Sequence, residues 1–160
     1  MVKQQEVLLD TGPLLELLVG LYDPMQLNKL NINSNDFRIL LSFVQSFHKT
    51  LITPHVLAEV SNLAKRDFKN NFANLINASI LFLSEIHEEI IPKEMIIQKE
   101  NLKILGQFGI TDTALSLATN KDRVILTNDW WFFYYCSNKK IPVLHTDTIF
   151  TQSFNALDPV

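Results

Sequence analysis

Short apolar runs alternate along the chain with segments whose apolar residues recur at helical spacing. The run EVLLD, residues 6–10, ends in a carboxylate and leads through Thr-Gly-Pro into leucines at helical spacing as far as Leu21. This pattern predicts a strand, a tight turn and a helix. The runs RVILT, residues 123–127, and IPVLHT, residues 141–146, predict two more strands, with a short aromatic helix between them.

The same periodicity predicts helices in the middle of the chain. They begin near Ser34, Pro54, Phe72 and Glu94, the last ending at Gly109, and Thr111 is the predicted cap of a further helix. A β-branched stretch before Thr53 and the segment EEIIP, residues 88–92, predict short strands. Strands rich in Val, Ile and Leu that alternate with helices indicate an α/β fold, with a mostly parallel sheet covered by helices.

Length and composition fit one domain over residues 1–160, with 47% hydrophobic and 19% charged residues. No apolar stretch approaches the roughly 20 residues that cross a bilayer, and the first residues lack the pattern of a signal peptide. We therefore expect a cytoplasmic protein without a membrane segment. The single cysteine, Cys136, excludes an internal disulfide and a cysteine metal cage, and is expected to be buried.

The formal net charge of −3 gives no basic surface of the kind that nucleic-acid-binding proteins usually have. Any attraction for RNA or DNA must come from local cations or from metal ions. The basic clusters are small, one at Lys65, Arg66 and Lys69 and one at Lys139-Lys140. Each is more often a solvated surface than a phosphate site.

Four carboxylates stand where an acid is not the usual choice. Asp10 and Asp129 close predicted strands, Glu59 lies at the border of an apolar helix face, and Asp112 opens a helix. Each also has an ordinary structural explanation. These are a turn residue for Asp10, a glutamate that reaches into solvent for Glu59, a first-turn acid for Asp112 and a helix cap for Asp129.

Taken together, the four acids suggest a metal site. Ligands bind outside the carboxyl ends of the strands in open α/β sheets, and carboxylates gathered there would repel one another without a cation. Oxygen ligands select hard cations such as Mg²⁺ or Mn²⁺, which support phosphodiester hydrolysis. The four histidines are scattered, and the chain has neither a glycine-rich phosphate loop nor a Gly-x-Ser-x-Gly turn.

Four segments, in this order along the chain, resemble the PIN-domain nucleases, and within them the VapC-like toxins of bacterial and archaeal toxin–antitoxin systems. They are VLLDTGPLLELL, ITPHVLAEV, GITDTALSLAT and VILTND. The resemblance implies a three-layer α/β/α sandwich with Mg²⁺ or Mn²⁺ ligands at Asp10, Glu59, Asp112 and Asp129. It also implies that Thr127 helps to hold the site. Thr11 matches a small hydroxyl residue of the family, although a structural turn explains it equally well.

The function implied is that of a metal-dependent endoribonuclease, the toxin of a type II toxin–antitoxin pair. The alternatives are an RNA-processing PIN nuclease without an antitoxin and a PIN-fold binding module without catalysis. Two departures from the family pattern bear on the toxin assignment, namely additional helix-forming sequence from Asn28 to His48 and an acidic balance of charge. The resemblance implies RNA as substrate and an antitoxin that inserts a basic side chain among the acids.

Further predictions concern the leucines of the first predicted helix and the residues around Asp129. Relatives often form homodimers, and the helix face from Leu14 to Leu21 either contributes to a dimer or packs in the core. Thr127 and Asn128 should hold Asp129 in place. Of the aromatic run after it, Phe132 or Phe133 should face the sheet together with Cys136. Trp130 and Trp131 either stack on unpaired RNA bases or pack against protein.

Overall fold

The computed structural model describes residues 5–155, which contain a five-stranded, fully parallel sheet in the order β3-β2-β1-β4-β5. The predicted domain also includes residues 1–4 and 156–160, which lie outside the described residues. The strands are β1 (Glu6–Leu9), β2 (Lys49–Ile52), β3 (His87–Glu88), β4 (Arg123–Thr127) and β5 (Val143–His145).

Helices flank the sheet and complete the predicted three-layer α/β/α sandwich. They are α1 (Thr11–Tyr22), α2 (Ser34–Gln45), α3 (Pro54–Asp67), α4 (Phe72–Glu85), α5 (Lys93–Ile96), α6 (Leu102–Phe108), α7 (Ile110–Ala118), α8 (Trp130–Asn138) and α9 (Thr146–Asn155). Short 3₁₀ helices span Pro24–Leu30, Lys69–Asn71 and Lys99–Asn101. Within residues 5–155 no helix has both the length and the apolar character needed to span a membrane.

The two central strands are buried on both faces. Every residue of β4 is buried, as are Val7, Leu8 and Leu9 of β1, which explains their uninterrupted apolar sequence. Helix α1 lies in the same core, packed against α2, α3 and α4. The leucines from Leu14 to Leu18 are buried, so they pack in the core and are not available for a dimer, whereas Leu21 is half-buried. Burial of each such leucine contributes about 1.5–3 kcal/mol.

The strand order creates a switch point beside β1. From β1 the chain moves outward to β2 and β3, then returns to the other side of β1 to form β4 and β5. Neighbouring β1 and β4 are paired in register, with Leu9 opposite Leu126. In open parallel sheets a crevice opens where the direction of winding reverses, at the carboxyl ends of these two strands. The residues that follow, Asp10 and Asp129, therefore flank this crevice.

Several predicted elements differ in the structure. The helix expected over residues 94–109 is divided into α5, a 3₁₀ turn and α6. The Asn101 amide donates to the carbonyl oxygen of Met95 at 2.7 Å, and this hydrogen bond satisfies a carbonyl that a continuous helix would have used. The strand expected at 88–92 pairs one residue earlier, at His87–Glu88, and the segment 146–155 forms α9, which no sequence pattern had indicated.

Two predicted helix caps also shift. Helix α7 begins directly after Gly109, which ends α6 with a φ of 88° and is itself the cap, so the assignment of Thr111 as cap is wrong. Helix α2 is capped by Asn33, whereas the sequence offers Ser34, Asn35 and Asp36 as caps. The Asn33 side chain accepts from the Asp36 backbone at 2.9 Å, and the Asp36 carboxylate accepts from the Asn33 backbone at 3.2 Å.

Candidate functional site

Asp10 lies at the end of β1, at the start of α1, and its carboxylate is buried. One oxygen accepts from the backbone N–H of Thr11 at 2.6 Å, and the other accepts from the hydroxyl of Thr127 at 2.6 Å. Burial raises the pKa of Asp10 to about 6, against the effect of these two hydrogen bonds, and the charges of Glu59 and Asp129 raise it further. An ionised Asp10 is therefore costly without a neighbouring cation.

Thr127 connects Asp10 to the next acid. Its hydroxyl donates to Asp10 and accepts from the backbone N–H of Asp129 at 3.0 Å. Thr127 therefore connects the segments that carry Asp10 and Asp129, and its role in holding a functional site stays a prediction. Thr11 contributes in a different way, because its backbone binds Asp10 while its buried hydroxyl oxygen has no hydrogen-bond partner among the described residues.

Asp129 caps α8 and faces solvent. The same carboxylate oxygen accepts from the backbone N–H groups of Trp131 at 2.7 Å and Phe132 at 3.1 Å. The structural explanation offered for Asp129, a helix cap, is thus confirmed, but the cap bonds occupy only one of its two oxygens. A cap function and a ligand function are compatible in this residue.

Asp112 and Glu59 come from two helices that pack against each other, α7 and α3. Asp112 is in the first turn of α7, as predicted, and is partly buried. Burial raises its pKa to about 8, and repulsion from Asp10, Asp129 and Glu59 adds to the effect. Glu59 is exposed on α3, which Thr53 caps through a hydrogen bond of 3.3 Å to the Val56 backbone.

The four predicted acids line one cavity of about 540 Å³ at the carboxyl ends of β1 and β4. None of the described residues that line it is basic. The cavity is formed by Asp10, Thr11, Gly12, Glu59, Leu63, Phe108, Gly109, Ile110, Thr111, Asp112, Asn128 and Asp129. Segments far apart in sequence therefore gather negative charge in one place, and no protein cation at the wall offsets it.

The donors in this cavity fit a hard divalent cation. They are carboxylate and hydroxyl oxygens, which Mg²⁺ and Mn²⁺ prefer, and the unpartnered hydroxyl of Thr11 lies among them. No group of three or more His, Cys, Asp or Glu side chains in residues 5–155 is already arranged to hold a metal ion.

A buried carboxylate that sequence reasoning missed lies beside the cavity. Glu16 of α1 is only 4% exposed, and one of its oxygens accepts from the side-chain amide of Asn128 at 2.9 Å. Burial raises the pKa of Glu16 to about 7, against the effect of that hydrogen bond. The available signal was composition, because Glu16 is the single charged residue of the segment from Thr11 to Tyr22.

The aromatic residues after Asp129 divide as helical geometry predicts for the core. Phe132 and Cys136 are fully buried. Trp130 is 40% exposed and stacks on the buried ring of His145, with ring centroids 3.6 Å apart and planes at 11°. Trp131 is 79% exposed. Trp130 therefore packs against protein, and Trp131 has the more accessible ring for stacking on a base.

Comparisons of the chain with protein-family models, with curated protein sequences and with solved structures gave no match.

Proposed function

We propose that this protein is a metal-dependent endoribonuclease with a PIN-like fold. The observation that carries the proposal is the convergence of Asp10, Glu59, Asp112 and Asp129 on one cavity at the switch point of a parallel sheet. The raised pKa values of Asp10 and Asp112 support it, because burial, and after it repulsion from the neighbouring acids, disfavours their charged forms. A bound divalent cation would offset that repulsion.

In this proposal Asp10, Asp112 and Asp129 hold Mg²⁺ or Mn²⁺, directly or through water. When bound, the cation would lower the pKa of a coordinated water and stabilise negative charge on the phosphate. Exposed Glu59 either contributes a further ligand or accepts a proton from the attacking water. The water oxygen bonds to phosphorus as the bond from phosphorus to O3′ breaks, and O3′ leaves with a proton. The products would carry 5′-phosphate and 3′-hydroxyl ends.

The substrate class is inferred from two further features. Trp131 offers an exposed ring next to Asp129, and stacking on an unpaired base is worth about 1–3 kcal/mol. Lys65, Arg66 and Lys69 line a shallow concavity on and just after α3, the helix that carries Glu59. Arg66 forms an ion pair with exposed Asp67 at 2.6 Å, so the two lysines are the better candidates for phosphate contacts.

The proposed partner is an antitoxin, whose basic side chain would supply the positive charge that the cavity wall lacks. A cytoplasmic location and a homodimer remain predictions. Because Leu14 and its neighbours lie in the core, a dimer would have to use other apolar residues. Helix α4 exposes two such side chains, Ile80 at 53% and Leu81 at 79%.

The test is cleavage of single-stranded and structured RNA by purified protein with Mg²⁺, with Mn²⁺ and with chelator. Wild type should cleave only with metal, whereas Asp10→Asn and Asp129→Asn should be inactive. Asp122→Asn, at the opposite end of β4, is the matched control and should cleave like wild type. Equal cleavage by all four proteins would refute the proposal. No saturable heat on titration with Mn²⁺, together with no cleavage of any RNA, would instead favour a binding module.

A further inference from the structure

Glu16 occupies an energetically unfavourable position. It lies within α1 among residues that are buried and mostly apolar, where a leucine or methionine would avoid the cost of burying a carboxylate. One oxygen is bonded to Asn128, and the other is buried without a hydrogen-bond partner among the described residues. The interaction with Asn128 is therefore the specific contact that a carboxylate at this position provides.

The Asn128 amide lies along one face of α1. Gly12 and Glu16 are four residues apart in that helix and so share a face. A Cβ atom at Gly12 would lie 2.0–2.3 Å from the amide atoms of Asn128, which therefore occupy the space that any other residue would fill. Gly12 makes room for the amide, and Glu16 accepts from its nitrogen.

Asn128 immediately precedes Asp129, and the residue before it, Thr127, is bonded to Asp10. Two consecutive residues thus attach the corner between β4 and α8 to the segment that begins with Asp10 and continues as α1. Thr127 provides one attachment and Asn128 the other. Together with the pairing of β1 and β4, these two hydrogen bonds hold the corner that carries Asp129 against the segment that begins with Asp10.

We propose that Glu16 is a positioning residue for the acidic site, which acts by holding the Asn128 side chain and thereby keeps Asp129 at the cavity. This inference rests on the proposed metal-dependent function. Glu16 lies outside the cavity wall, whereas Asn128 is part of it. Loss of such a supporting contact typically costs about 10-fold to 100-fold in metal affinity or activity.

The decisive variant is Glu16→Met, which fills the same space without a carboxylate. It should fold at least as stably as wild type in the absence of metal, because it removes a buried carboxylate. Its affinity for Mn²⁺, measured by calorimetry, should nevertheless fall about 10-fold. The kcat for RNA cleavage should fall with little change in KM. A merely structural residue would instead change stability and leave the metal affinity of the folded protein unaltered.

Two further variants separate the hydrogen bond from the charge. Glu16→Gln keeps an oxygen that accepts from Asn128 and should retain Mn²⁺ affinity within about 3-fold. Exposed Asn128→Ala should reproduce the loss seen in Glu16→Met, and the double variant should lose no more than either single one. This set also tests the proposal if Glu16→Met fails to fold.

The outcomes are distinguishable. Wild type that neither binds Mn²⁺ nor cleaves RNA refutes the proposed function and the role of Glu16 together. Active wild type with unchanged Mn²⁺ affinity in Glu16→Met or in Asn128→Ala overturns the role of Glu16 alone. Equal impairment of Glu16→Gln and Glu16→Met also overturns it, since the hydrogen bond would then be irrelevant.

Discussion

Replacing Asp10 with Asn should stabilise the metal-free protein at alkaline pH while it removes metal-dependent activity. The pKa of this carboxyl is raised from 3.8 to about 6, mainly by burial. The folded protein therefore holds the proton more tightly than the unfolded chain does. Below pH 3.8 the neutral carboxyl makes its full contribution to the stability of the folded protein, and this contribution is lost as the pH rises through about 6.

A pKa raised from 3.8 to about 6 corresponds to about 3 kcal/mol of unfavourable free energy when Asp10 is ionised. Asn carries no charge and keeps one acceptor oxygen for the Thr11 N–H. The hydrogen bonds of the Asn side chain to Thr11 and Thr127 are weaker than those of the carboxylate, which lowers the stability of Asp10→Asn by about 1 kcal/mol at every pH. We therefore expect Asp10→Asn to be about 2 kcal/mol more stable than wild type at about pH 8 and no more stable than wild type near pH 4.

The assay is urea unfolding of both proteins in chelator across this pH range, with thermal unfolding as a second measure. For a domain of this size the gain corresponds to a Tm difference about 4–8 °C larger at the alkaline end. Saturating Mn²⁺ should reverse the order, because binding stabilises wild type by about 2.7 kcal/mol at 100-fold excess over Kd. Asp122→Asn, at the other end of β4 and outside the acidic cavity, is the matched control. A stability difference that is the same at both pH values would refute the reasoning.

Three other changes test individual contacts. Thr127→Val removes a buried hydroxyl and should lower the free energy of unfolding by about 2 kcal/mol in urea titrations. Thr127→Ser keeps the hydroxyl and loses only a buried methyl group, so it should lower this free energy by about 1 kcal/mol. Gly12→Ala should displace the flexible Asn128 side chain. Calorimetry should then show weaker Mn²⁺ binding with little loss of Tm, and an unchanged affinity would contradict this expectation. Trp131→Ala should weaken RNA binding by about 1–3 kcal/mol without changing Tm, whereas Trp130→Ala should lower Tm. A loss of Tm in Trp131→Ala with unchanged RNA affinity would exclude Trp131 as the stacking residue.

Local pattern was sufficient for most of the fold. The uninterrupted apolar sequence RVILT predicts a buried strand, and β4 is indeed covered on both faces. The leucines of α1 recur at helical spacing because that helix lies in the core. Pattern failed where side chains compete with the helix, as at Asn101, whose amide bonds to Met95 and divides a helix that periodicity predicts as continuous. Such local competition depends on geometry that periodicity does not report.

The sequence by itself determined the alternation of strands and helices and the placement of Asp10 and Asp129 at strand ends. Tertiary structure decided that β1 and β4 are neighbours, which brings these ends together. It also decided the bonds from Thr127 to Asp10 and from Asn128 to Glu16, which join residues 117 and 112 positions apart. Periodicity describes only which face of its own element a side chain occupies, so contacts between elements appear only when the sheet and helices have packed.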